Sequence, residues 1–104
     1  MQVILIIDTT NNKEVIVGLR IDDKSFEKRQ ALDTRKAQVV LPMIKELLRK
    51  HRVSLKDLNG IEVNPGPGSF TGIRVGLSIA NVLGFLLQIP VNGGKMGETV
   101  EAKY

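Results

Sequence analysis

Cysteine is absent from this 104-residue chain, which excludes disulfides, thiol nucleophiles and thiolate metal sites. Histidine occurs once, as His51 in the charged run Arg49-Lys50-His51-Arg52. A solitary imidazole among cations suits the solvated end of a helix, where positive charge complements the dipole, so neither a metal site nor a cofactor is expected. Aromatic residues make up only 4% of the chain, so the core must be aliphatic. Acidic residues are outnumbered eleven to fifteen, and the net charge of +4 permits a nucleic-acid partner without demonstrating one. The densest basic stretch, Lys45, Arg49, Lys50, Arg52 and Lys56, lacks the interleaved aromatics of a stacking platform and reads as a solvated helix face. Long hydrophobic runs are missing as well. The N-terminal run Val3 to Ile7 ends at Asp8 and has no basic leader, so a first strand and a cytoplasmic protein are expected rather than a signal peptide. The length suits one small domain with a single core.

What is present concentrates between residues 65 and 84. Pro65-Gly66-Pro67-Gly68 predicts a rigid turn, because each proline fixes its own φ and each glycine tolerates φ > 0. Ser69 follows where a helical pattern begins and is placed to act as an N-cap. In the helix, Gly72, Gly76, Ala80 and Gly84 recur every fourth residue and leave a strip of nearly bare backbone, at roughly 0.5–1 kcal/mol of helix propensity per glycine. Something must pack closely against that strip. It is not a membrane contact, since Arg74, Asn81 and Gln88 leave about a dozen uninterrupted apolar positions where a span needs about 20.

Along the chain, Val3 to Ile7 is continuously apolar, as in a strand covered on both faces. Asp8 to Asn12 is turn chemistry, and Val15, Val17, Leu19 and Ile21 then alternate, which predicts a hairpin. Ser25 to Leu32 reads as a charged edge strand. From about Arg35 to Arg52 the period becomes helical, with Val40, Met43, Ile44, Leu47 and Leu48 as its apolar stripe and Pro42 expected to bend it. Ser54-Leu55-Lys56-Asp57 resembles a capping box and predicts one helical turn. Ile61 to Val63 predicts a strand, the small-residue helix runs to about Leu87, and Ile89 to Val91 predicts a fifth strand. Residues 93–104 read as a frayed polar tail after a lobe spanning 1–92. The fold class expected is α/β: three antiparallel strands, then two right-handed parallel crossovers, giving a mixed five-stranded sheet with two long helices. Such a sheet resembles the lobe of ribonuclease-H-like and actin-like folds.

Three stretches carry a resemblance to the TsaB (YeaZ-like) family, the dimerization subunits of the bacterial machinery that makes threonylcarbamoyl-adenosine in tRNA. They are Ile6 to Thr10, Ala37 to Ile44, and Pro65-Gly66-Pro67-Gly68-Ser69-Phe70-Thr71-Gly72-Ile73-Arg74-Val75-Gly76, with Leu55 to Ile61 and Gln88 to Val91 at matching places. The resemblance implies a non-catalytic subunit, with no catalytic residue of its own, that supports a TsaD-like catalytic subunit modifying adenosine 37. It meets tRNA only through the complex and, when isolated, forms a homodimer. It also implies partner contacts through the two long helices, here Val40, Met43, Ile44 and Leu47 with Gly72, Ile73, Gly76, Ala80 and Gly84. The residues Pro65 to Thr71 form the motif loop, and Asp8, Thr9 and Thr10 form a remnant of a phosphate loop. Members usually have a second lobe and about twice this length, so the match covers the first lobe only. Lys36 stands where many members place histidine, and Asn11 to Glu14 lack a further hydroxyl common there.

An enzymatic alternative is an actin-like phosphotransferase or ATPase fragment holding nucleotide phosphates with Asp8, Thr9, Gly66 and Gly68. Against it stand the lack of a Gly-Lys-Ser/Thr sequence and of a general base beyond Asp8. A free-standing RNA-binding module has only the basic balance in its favour.

Overall fold

The structure, a computed structural model, describes residues 1–31 and 36–103, with residues 36 and 37 described by their backbone alone. The expected strand end at Leu32, helix start at Arg35 and side chain of Lys36 lie outside the described residues. Strands β1 (Val3–Asp8), β2 (Glu14–Ile21) and β3 (Lys24–Ala31) form an antiparallel meander, and β4 (Gly60–Val63) lies parallel to β1, giving the order β3-β2-β1-β4. Helix α1 (Lys36–Lys50) precedes β4, after one 3₁₀ turn at Leu55–Asp57, and α2 (Phe70–Leu87) follows it.

Alternation decides the layers. Val3, Leu5 and Ile7 are paired in register with Ile21, Leu19 and Val17 on one side, and Leu5 and Ile7 with Ile61 and Val63 on the other. All but the half-buried Ile21 are buried in one core with Val40, Met43, Ile44 and Leu47 of α1 and Ile73, Leu77 and Ala80 of α2. The opposite sheet face carries half-buried Ile4, Ile6 and Ile16 and the Arg20–Glu62 ion pair that reaches across β1. Local chemistry sets the ends. Ser69 Oγ accepts the Gly72 N–H at 3.2 Å, the Asp57 carboxylate accepts the Ser54 N–H at 2.9 Å, and Gln88 closes α2 at φ 54°. Helix α1 continues through Pro42.

Two expectations need correction. The sheet has four strands; the segment Ile89 to Val91 contributes only an isolated parallel bridge between Ile61 and Val91. The reason is Asn92, whose backbone turns away at φ 53° before Gly93 at φ 73°. Its carboxamide stands in for the missing strand, accepting the Val63 N–H at 2.7 Å and donating to the Val63 carbonyl at 2.9 Å. The C-terminal segment, expected to fray, is tied down. Asn81 brackets Val100 with two hydrogen bonds of 2.8 and 2.9 Å, and the Lys103 N–H donates to the Pro65 carbonyl at 2.7 Å.

Candidate protein-interaction face

Thr9 shows how closely α2 approaches the sheet. It is fully buried at the end of β1, its hydroxyl donates to the Gly72 carbonyl, and the same oxygen accepts the Gly76 N–H at 3.1 Å. An α-helix normally joins that carbonyl and that N–H directly. A side chain inserted at this point requires the helix to carry no Cβ there, and a Cβ built on Gly76 would collide with the Thr9 hydroxyl. Gly84 is held in the same way, since its Cβ would lie 2.5 Å from Val91 Cγ2. Ala80 between them has no exposure.

The small-residue strip is therefore the seat of α2 on its own sheet. Val40, Met43, Ile44, Leu47, Gly72, Ile73, Gly76, Ala80 and Gly84, expected to face a partner, all lie in the interior. The physical reason is that a position without a side chain is worth most where other atoms already lie close, here the Ile7 and Thr9 side chains at Gly76 and the Val91 side chain and Ile89 carbonyl at Gly84. The outward side of the same helices holds Leu41, Phe70, Val82, Phe85 and Leu86, from 53% to 68% exposed. Two grooves flank Leu41. One, of 510 Å³, is lined by Phe70, Arg74, Val75 and Ile79; the other, of 580 Å³, by Ile44, Leu48, Val53 and Leu83 with Lys45 and Arg49 at its rim. Exposed apolar area of this kind is a candidate contact surface. The signal in the sequence was that large apolar residues, Phe70, Val82, Phe85 and Leu86, lie on α2 outside the small-residue strip and beside its polar residues Thr71, Arg74, Ser78 and Asn81. By length and composition α2 also suits a membrane span, but six of its eighteen residues are packed into the lobe.

The motif loop is a joint rather than an open cradle. Gly66 (φ 121°) and Gly68 (φ 158°) adopt backbone conformations that favour glycine, and a Cβ on Gly68 would lie 2.6 Å from the Thr10 carbonyl. The Gly66 N–H donates to Asn64 Oδ1 at 3.1 Å, Ser69 N–H to the Thr10 carbonyl at 2.8 Å, and Ile73 N–H to the Ser69 carbonyl at 2.8 Å. Asp8 accepts from the Thr10 N–H and hydroxyl at 3.0 and 2.7 Å and from Asn64 Nδ2 at 3.1 Å. Asp8, Thr9, Thr10 and Pro65 to Thr71 thus come together, but as a hydrogen-bonded hinge between β1, β4 and α2.

The remaining charged residues are peripheral. Lys28 and Glu46 pair at 2.8 Å, and the hydrogen bond and charge of Lys28 hold the Glu46 carboxyl below its ordinary value. The hydrogen bond from Arg20 lowers Glu62 likewise. His51 stacks on Phe26 with ring centroids 4.1 Å apart, where α1 ends over β3. No cluster of three or more metal-ligating side chains occurs among the described residues.

Residues 32–93 match the family model described as TsaD, tRNA N6-adenosine threonylcarbamoyltransferase. The tRNA threonylcarbamoyladenosine biosynthesis protein TsaB of Bacillus subtilis (strain 168) is 35% identical over 99 residues, covering 95% of this chain and 43% of its own. The TsaB of Buchnera aphidicola subsp. Schizaphis graminum (strain Sg) is 48% identical over 54 residues, 52% of this chain and 26% of that protein. Among solved structures, YeaZ from Pseudomonas aeruginosa superposes with a TM-score of 0.83 at 32% identity, over 88% of this chain and 42% of that one. The chain spans less than half the length of these relatives.

Proposed function

The chain belongs to the TsaD family of tRNA N6-adenosine threonylcarbamoyltransferases as a TsaB/YeaZ-like member, and from that premise we propose that it is a non-catalytic docking subunit for a TsaD-like catalytic subunit. In this reading it serves threonylcarbamoylation of adenosine 37 of tRNA in the cytoplasm and meets tRNA only through the complex. Its lobe is of the ribonuclease-H-like and actin-like kind, a reading supported by the order β3-β2-β1-β4 with β1 and β4 parallel. The observation that carries the proposal is the outward side of α1 and α2, where Leu41 lines two apolar grooves, Phe70 lines one of them, and Val82, Phe85 and Leu86 stand exposed further along α2. Without its partner, the chain covers that face by pairing with a second copy.

Support against an enzymatic role comes from the joint around Asp8. Thr9 is buried within α2's packing, and the depression beside Asp8 is lined by the further carboxylate of Glu62, with Asn64 and Asn92 but no cation to receive a phosphate. Calorimetry is expected to show no micromolar binding of ATP. Binding at that level, lost in Asp8→Ala, would favour the nucleotide-binding alternative. The direct test of docking is co-purification of the same organism's TsaD-like subunit with the tagged chain. Capture by the wild type and loss in Phe85→Glu with an unchanged melting curve is expected; no capture by the wild type would refute the proposal.

A further inference from the structure

Residues 93–103 run back along α2 without forming a strand or helix of their own. Gly97 lies beside the Gln88 side chain at the C-terminal end of the helix, Val100 beside Asn81, and Lys103 at the Pro-Gly loop that precedes the helix. Val100 and Ala102 pack half-buried against the core, while Thr99, Glu101 and Lys103, alternating with them, are exposed. Two points fasten the segment. At the first, the Asn81 carboxamide accepts the Val100 N–H at 2.8 Å and donates to the Val100 carbonyl at 2.9 Å, standing in for a strand neighbour as Asn92 does for Val63. At the second, the Lys103 N–H donates to the Pro65 carbonyl at 2.7 Å. The loop needs that donor, because Pro65 and Pro67 have no N–H to offer and its carbonyls depend on groups from elsewhere. A Cβ on Gly66 would collide with the Lys103 carbonyl and lie 3.0 Å from Ile73 Cδ1, so the loop is held between this segment and α2.

We infer that residues 98–103 are a latch on the Pro-Gly loop, a strap that opens as one unit before the sheet does and takes the order of the loop with it. The inference concerns the lobe alone and does not rest on the docking reading. Local opening occurs where few hydrogen bonds and little buried apolar surface must be given up. Opening the strap breaks only the bonds at Asn81 and Pro65 and withdraws the half-buried Val100 and Ala102, whereas β1 is paired along both edges and its Val3, Leu5 and Ile7 are fully buried. Release removes the Lys103 N–H from the Pro65 carbonyl and the backbone that lies against Gly66, so water reaches the bonds from Gly66 N–H to Asn64 and from Ser69 N–H to Thr10. The strap also gives Asn81 a reason to stand inside α2, where its own helix propensity is poor.

Native-state hydrogen exchange of the whole chain, followed at several low urea concentrations, reads the free energy at which each amide opens and how much surface that opening exposes. The amides of Val100 and Lys103 are expected to share one opening of low free energy and shallow urea dependence, and those of Gly66 and Ser69 to share it with them. Amides in β1 and β2 should exchange by a costlier opening with a steep urea dependence. Asn81→Ala, which favours the helix but removes both bonds to Val100, is expected to speed exchange at Val100, Lys103, Gly66 and Ser69 together by about tenfold. Lys103→Pro, which removes the donor to Pro65, should loosen Val100, Gly66 and Ser69 from the other end of the strap. Wild-type exchange at Gly66 and Ser69 in both variants would overturn the inference. So would strap amides that open at the same free energy and urea dependence as those of β1 and β2.

Discussion

Helix α2 has two apolar faces that do opposite work. The inward one is built of the smallest residues, Gly72, Gly76, Ala80 and Gly84, and lies against Thr9 and Val91. The outward one is built of large residues, Phe70, Val82, Phe85 and Leu86, more than half of each exposed. Small residues bring two backbones together, which only a fixed neighbour in the same lobe can exploit at all times. Large exposed residues offer area to the partner proposed above, since burying each one yields about 1.5–3 kcal/mol of hydrophobic stabilisation. The apolar residues of α2 are thus divided between a small-residue face that packs into the core and large residues that stay exposed.

The sharpest way to break this division is to put bulk on the inward face. Gly76→Leu forces a side chain into the Thr9 hydroxyl and β1, and is expected to leave the lobe unfolded by circular dichroism; a folded variant with the wild-type melting temperature would return the strip to the surface. Gly76→Ala asks less of the packing and should cost about 1–3 kcal/mol in urea titration, the usual range for overpacking. Thr9→Val keeps the shape but removes the hydroxyl between Gly72 and Gly76. Its expected cost is about 1–3 kcal/mol, for a carbonyl and an N–H left to find one another inside the core. A neutral result would mean that α2 simply recloses its ladder.

On the outward face the effects should move from stability to association. Val82→Glu and Leu86→Glu are expected to shift stability by no more than about 0.5 kcal/mol, as exposed substitutions do, while abolishing capture of the catalytic subunit. If they unfold the lobe, that face belongs to the core after all. The smallest effect expected is on acid stability. The folded-state carboxyls of Glu46 and Glu62 lie below their ordinary 4.5, so their stabilisation is present above that value and is lost as pH falls through the lowered ones. Both pairs are well exposed, so the loss should be slight and further reduced by salt. Arg20→Gln should remove the part due to Glu62 and leave the Thr9 and Gly76 effects unchanged.

Residues whose roles depend on near neighbours in the chain were legible before any fold was known. The period-two alternation from Val15 to Ile21, the N-cap at Ser69 and the turn at Leu55–Asp57 behave as their side chains dictate, because a hydroxyl or a carboxylate reaches only two or three residues away. The candidate site was half legible. The sequence marked α1 and α2 as the helices that matter and the Pro-Gly loop as the motif that positions them. It also showed that a strip of glycines must meet another surface. Which surface was settled by contacts between residues far apart in the chain: Thr9 with Gly72 and Gly76, Val91 with Gly84, and Asn92 with Val63. Periodicity records which side chains share a face but carries no information on what lies opposite, so only the tertiary structure could turn the small residues inward, stop the sheet at four strands and leave the large apolar residues exposed.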